Sequence, residues 1–237
     1  MLRFLLVLNI FFVVSSYGQN YGQKDPVFLT EALSSHLPKY KEHADKAYHQ
    51  QNIERADFLF DSLVDHCLKG SRLDNFKVKD LKKEPVNLVD FKKPIYLMTY
   101  ASWVVPTEGE IPALNELAAK FGEQVDFVLL FWDQHETAKN LAEKYHKNIE
   151  ILYVDELQNN SSYVIKNLKH SLGFPTTFLL DKDKRIIDIR RQVSHPYGIE
   201  FQKSFNLNHD SFSEAISLLL INDSSQYSQN LGEETAL

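Results

Sequence analysis

The chain has 237 residues, 43% of them apolar, and carries a net charge of −6. That is enough chain to bury a full core in one domain without a disulfide or metal to hold it together. Lys and Arg are scattered rather than clustered, which excludes a nucleic-acid-binding surface or an anionic-membrane surface.

Met1-Leu2-Arg3, an apolar stretch from Phe4 to Val14 and the small residues Ser16 and Gly18 read as a secretory signal peptide over residues 1–18. The apolar stretch is shorter than the roughly 20 residues a membrane span needs. Cleavage is expected near Gly18, with no cysteine at the cut for a lipid anchor. The mature protein is then expected in the periplasm or outside the cell, with no membrane insertion. In that compartment disulfides are common, yet Cys67 is the single cysteine, so no internal disulfide can form.

Residues 19–26 read as a flexible lead. Over 27–70, Ala44, Ala47, Tyr48, Ala56, Leu59, Phe60, Leu63 and Cys67 recur at three- and four-residue steps. This predicts a helical extension with a turn near Gln51-Asn52. Phe76 and Val78, then Val86 and Leu88, predict a strand pair. The apolar runs at 94–102, 125–133 and 149–156 predict buried parallel strands. Helical patterns fall at 107–121, 135–147 and 160–170. Residues 176–183 and 185–192 read as a strand pair turning at Lys182 to Lys184. A last helix is expected over 208–221, followed by a polar tail, 222–237, that reads as disordered. Strands alternating with helices, then an antiparallel pair and a helix, predict an α/β domain of three layers around a mixed sheet.

Two segments say more. ASWVVPTEGEIPALNEL (101–117) follows a buried strand, and LGFPTTFLLDKDKRI (172–186) opens a late one. Together they resemble the two halves of the active site in TlpA/ResA-like thiol-disulfide oxidoreductases of the thioredoxin superfamily. Those proteins carry W-C-x-P-C-x-x-E-x-P and G-x-P-T-x-F. Trp103, Pro106, Glu110 and Pro112 match the first pattern, and Gly173, Pro175, Thr176 and Phe178 the second. The likeness runs over residues 73–192 and implies a thioredoxin-like domain over 73–221, with the helical extension at its N-terminal side.

The two cysteine positions of that pattern are held by Val104 and Thr107. Disulfide exchange needs a thiolate to attack and a second thiol to resolve the mixed disulfide. Valine has no nucleophile, and a threonine hydroxyl needs an adjacent base. No histidine stands near Thr107 in sequence. The expectation is a pseudoenzyme that binds a protein or extended peptide in a groove of Trp103, Val105, Pro106, Glu110, Phe174, Pro175 and Thr176. The resemblance implies a cis peptide at Pro175, beside which backbone pairs with an extended substrate; the alternative is a rigid turn at the sheet edge. Thr107-x-x-Glu110 fits a helix capping box, worth about 1 kcal/mol. Trp103 is either an exposed anchor or a ring packed over the strand end. Cys67 is either a core residue or the lone thiol of a residual redox activity. A third reading makes the protein a structural subunit with the 27–70 helices as its interface. No catalytic residue, metal signature, cofactor loop or cofactor is read from the sequence, and oligomeric state is left open.

Overall fold

The computed structural model describes residues 27–155, 172–196 and 198–234, with side chains to 226. The expected signal peptide, the lead and the short helix over 160–170 lie outside the described residues. Two helices come first, α1 (Leu29–His49) and α2 (Ile53–Leu63), and α2 runs on into a π-helical turn at Val64–Leu68. The break between them falls where Gln51 takes a positive φ of 55° and Asn52 caps α2, its side chain accepting from the Arg55 N–H. Strands β1 (Val78–Asp80) and β2 (Pro85–Val86) form a short hairpin. They are followed by β3 (Ile95–Tyr100), α3 (Glu110–Phe121), β4 (Asp126–Phe131), α4 (His135–Ala142) and β5 (Ile149–Tyr153). The antiparallel pair β6 (Thr176–Leu180) and β7 (Ile186–Arg191) leads to a long last helix, α5 (Phe201–Glu234).

The seven strands make one mixed sheet in the order β2-β1-β5-β4-β3-β6-β7. Its centre, β3, β4 and β5, is parallel, and β6 turns antiparallel against β3. Every residue of β3 and of β6 is buried, as expected of strands covered on both faces. Alternate strand residues feed two cores. On one face Ile95, Leu97, Val128, Leu130 and Phe178 pack with Leu29, Leu33, Phe60, Leu63 and Leu68 of the N-terminal helices. On the other, Tyr96, Met98, Phe127 and Leu129 pack with Leu114 and Leu117 of α3 and Phe212 and Ile216 of α5. The chain is therefore an α/β protein of three layers, and the N-terminal helices supply one of those layers.

Two boundaries differ from the sequence reading. The last helix starts seven residues earlier than expected and continues through the stretch read as a disordered tail, to Glu234. Polar composition misled here because specific polar contacts hold the segment down. Lys182 pairs with Asp223 at 2.7 Å, and the Gln226 amide donates to Asp181 at 3.0 Å. Helix α3 starts later than expected, at Glu110 rather than Thr107.

Candidate functional site

The site lies at the C-terminal end of β3, where the chain leaves the sheet at Ala101. The Ser102 N–H and hydroxyl both donate to the Asp133 carboxylate, and the Val104 N–H donates to the Ala101 carbonyl. These bonds fold residues 101–104 into a turn that leaves Trp103 70% and Val105 84% exposed. The second segment comes up beside it. The Phe174–Pro175 peptide is cis. Thr176 pairs with Thr99 of β3, whose hydroxyl donates to the Thr176 carbonyl at 3.1 Å. Trp103 meets Phe174 edge to face at 5.9 Å, and Phe174 also touches buried Trp132. The Trp103 ring is exposed and is braced by Phe174. Next to it Gly173 takes a φ of +91°, and the space where a Cβ would stand is open.

The predicted groove residues fall into two groups. Trp103, Val105, Pro106 and Phe174 reach solvent, whereas Pro175, Thr176 and Glu110 are buried. Glu110, only 2% exposed, belongs beneath the groove and not on it. Its Oε1 accepts from the Tyr100 hydroxyl at 3.0 Å, and its Oε2 accepts from the Gln192 amide and from the Thr107 N–H. Burial pushes this carboxyl up from the usual glutamate range. The bonds from Gln192, Tyr100 and Thr107 and the nearby His195 pull the other way without cancelling it.

The capping box forms only by half. Glu110 reaches back to the Thr107 N–H, but the Thr107 hydroxyl does not cap the helix; it accepts from the Asn208 amide at 3.0 Å. The residue at the helix start is Gly109, whose N–H donates to the Ser204 hydroxyl of α5 at 3.1 Å. Ser204 in turn meets His195 Nε2 at 3.2 Å. So a polar chain runs from the end of β3 to α5, through Tyr100, Glu110, Gln192, Thr107, Asn208, Ser204 and His195. Gly109 permits it: a Cβ there would sit 2.2 Å from the Phe205 backbone nitrogen. Sequence reasoning missed Gly109, Gln192, His195, Ser204 and Asn208. They come from three distant stretches, and no spacing rule links them.

Cys67 is not a core residue in the full sense. It is half-buried on the π-helical turn and lines a cleft between α1 and α2. It packs against the core on the helical-extension side of the sheet, whereas Val104 packs against the core on the α3 side. Among the described residues no group of His, Cys, Asp and Glu is arranged to hold a metal ion, and no helix is long and apolar enough to cross a membrane.

This sheet order, the cis-proline strand facing a turn after β3 and the flanking helices define a thioredoxin-like fold. The chain belongs to the AhpC/TSA family, whose profile matches residues 70–189. It is TlpA/ResA-like: over 121 residues it is 32% identical to the thiol-disulfide oxidoreductase ResA of Bacillus thuringiensis subsp. konkukian. That match covers 50% of this chain and 66% of the ResA chain, just under two thirds of the relative's own length. It is also 27% identical over 126 residues to the thioredoxin-like protein YneN of Bacillus subtilis, covering 51% of this chain and 70% of that one. A crystal structure of a hypothetical protein from Sinorhizobium meliloti matches with a TM-score of 0.51 at 15% identity, over 68% of this chain and 88% of that chain. That likeness bears on the fold alone.

Proposed function

We propose that this chain is an exported thioredoxin-fold protein that binds an extended peptide or protein partner at the Trp103–Phe174 groove without running disulfide exchange. The observation that carries the reading is chemical. The resemblance puts Val104 and Thr107 where its relatives carry redox cysteines, while the surface around them stays open and apolar. Val105 and Trp103 stand in solvent, and the space beside Gly173 is free. Apolar side chains of an extended segment lose water against such a surface, which favours binding. The Thr107 hydroxyl takes an amide donor, and among the described residues no carboxylate or histidine accepts from it; Glu110 bonds the Thr107 N–H instead. Cys67 offers no substitute at this groove, because it packs on the other face of the sheet.

Two measurements test the proposal. In an insulin-disulfide reduction assay with dithiothreitol, the mature protein should give no rate above background, and Cys67→Ser should change nothing. A rate that vanished in the Cys67→Ser variant would make this an enzyme working through Cys67. Val104→Cys should form mixed disulfides with an unfolded polypeptide whose cysteine carries an activated disulfide, the engineered thiolate displacing thionitrobenzoate, faster than Glu84→Cys on the exposed β1–β2 turn. Equal capture by the two variants would remove the groove as a binding surface.

A further inference from the structure

We propose a second site, independent of the groove: the cleft between α1 and α2 binds a small anionic amphiphile, an apolar chain ending in one carboxylate or phosphate. The cleft holds about 360 Å³, within the size range of small-ligand pockets.

Its lining sorts by chemistry. The interior is apolar, built from Tyr40, Leu59, Leu63 and the half-buried Cys67, with the exposed Phe58 ring at the side. The Tyr40 hydroxyl already accepts from Arg191, so what Tyr40 offers the cleft is its ring. The charged lining is of one sign. Lys39 and Arg55 stand there with three histidines, His36, His43 and His66, and no carboxylate lines the cleft, in a chain of net charge −6. Three nearby acids face elsewhere: Asp57 and Asp61 of α2 and Asp65 of the π-helical turn line a separate cavity toward β7, with Lys69, Arg190 and Arg191.

Neither Lys39 nor Arg55 forms an ion pair among the described residues, although Lys46 pairs with Glu42 and Lys69 with Asp65 and Asp188. The Arg55 guanidinium lies 5.1 Å from the centre of the Phe58 ring. That places a cation beside an aromatic wall at the cleft. An apolar chain lying against these side chains would lose part of its contact with water, and an anionic head would find Arg55 and Lys39 as charge-assisted donors. A cationic head would meet only like charge.

The sole cysteine reports on the cleft directly. The full mature protein is titrated with dodecanoate, dodecyl phosphate and dodecyltrimethylammonium, all below their micellar concentrations, by calorimetry and by the rate of Cys67 alkylation. Saturable binding of the anions, slowing alkylation, with no such effect from the cation, is the expected result. Tighter binding of dodecanoate would point to a free carboxylate ligand, and tighter binding of dodecyl phosphate to a phosphate head; both support the site. The double variant Lys39→Glu/Arg55→Glu should weaken anion binding by about tenfold or more. Both side chains are exposed, and a circular dichroism melt checks that the variant is folded; Arg55→Gln serves if it is not. Absence of saturable anion binding, equal protection by the cation, or unchanged affinity in the folded charge variants would overturn the proposal.

Discussion

Glu110 is buried with three donors around its carboxylate, and burial still holds its pKa above the ordinary 4.5. A carboxyl whose pKa is raised by folding stabilises the folded state only while it keeps its proton. Its contribution is fully present below the unfolded value and is lost as pH rises through the folded value. Glu110→Gln keeps the shape and removes the titration. Its amide can still accept from Tyr100 and, once the Gln192 amide turns over, donate to that neighbour, while the Thr107 N–H loses its long 3.4 Å acceptor. The variant should lie slightly below the parent near pH 4 and gain on it as pH rises toward 8, read from urea denaturation at a series of pH values. A difference independent of pH would mean that the charge on Glu110 is not costing stability. One residue earlier, Gly109→Ala should cost about 1–3 kcal/mol. Its Cβ would press on the backbone of Phe205, which cannot swing aside as a side chain can. A denaturation midpoint equal to the parent's would show that α3 and α5 can separate without loss.

Between elements, one side chain fastens the helical layer to the sheet edge. Arg191, at the end of β7, pairs across the ladder with Thr176 beside the cis-proline. Its guanidinium donates to the hydroxyls of Tyr40 and Tyr48 at 2.7 and 3.0 Å, and it lies 4.1 Å from the centre of the Phe60 ring. Lysine cannot reproduce that planar fork. Arg191→Lys should therefore lower stability by about 1–2 kcal/mol and speed amide exchange in α1 and α2, leaving β3 to β5 protected. Uniform loss of protection would place the fastening elsewhere. Much of this layer was legible in sequence, because α1, α2, β3 and β4 announce themselves through apolar spacing that survives folding. The two motif halves were legible as well, since each is a local run. The polar chain from β3 to α5 was not. Thr107-x-x-Glu110 reads as a cap from its spacing, but its hydroxyl is taken by Asn208, 101 residues further on. The late start of α3, just after Gly109, depends on Ser204, which no local pattern links to it. The helix through 222–234 was hidden for a similar reason: its anchors, Asp181 and Lys182, sit on the β6–β7 turn.

For the molecule as a whole, the open question is whether the N-terminal helices are a separable attachment or part of the fold. If they were only an interface for assembly, their deletion would leave the rest folded. The packing argues otherwise. Leu29, Leu33, Phe60, Leu63 and Leu68 are buried against Ile95, Leu97, Val128, Leu130 and Phe178, the strand residues on that face of the sheet. Burying five such side chains contributes about 8–15 kcal/mol, as much as the whole net stability of a typical domain, about 5–15 kcal/mol. The backbone joins the two parts as well. The Leu29 N–H donates to the Arg72 carbonyl, the Arg72 N–H donates to the Val27 carbonyl, and the Thr30 N–H and hydroxyl both donate to the Asp74 carboxylate. A fragment beginning at Lys69 should therefore lack a cooperative thermal transition and near-ultraviolet circular dichroism, and should bind a dye for exposed apolar surface. A sharp melt and native near-ultraviolet signal in that fragment would show that the sheet can cover its own face. In that case the helices would be an appended interface, and the α1–α2 cleft would have to be tested as part of a separate unit.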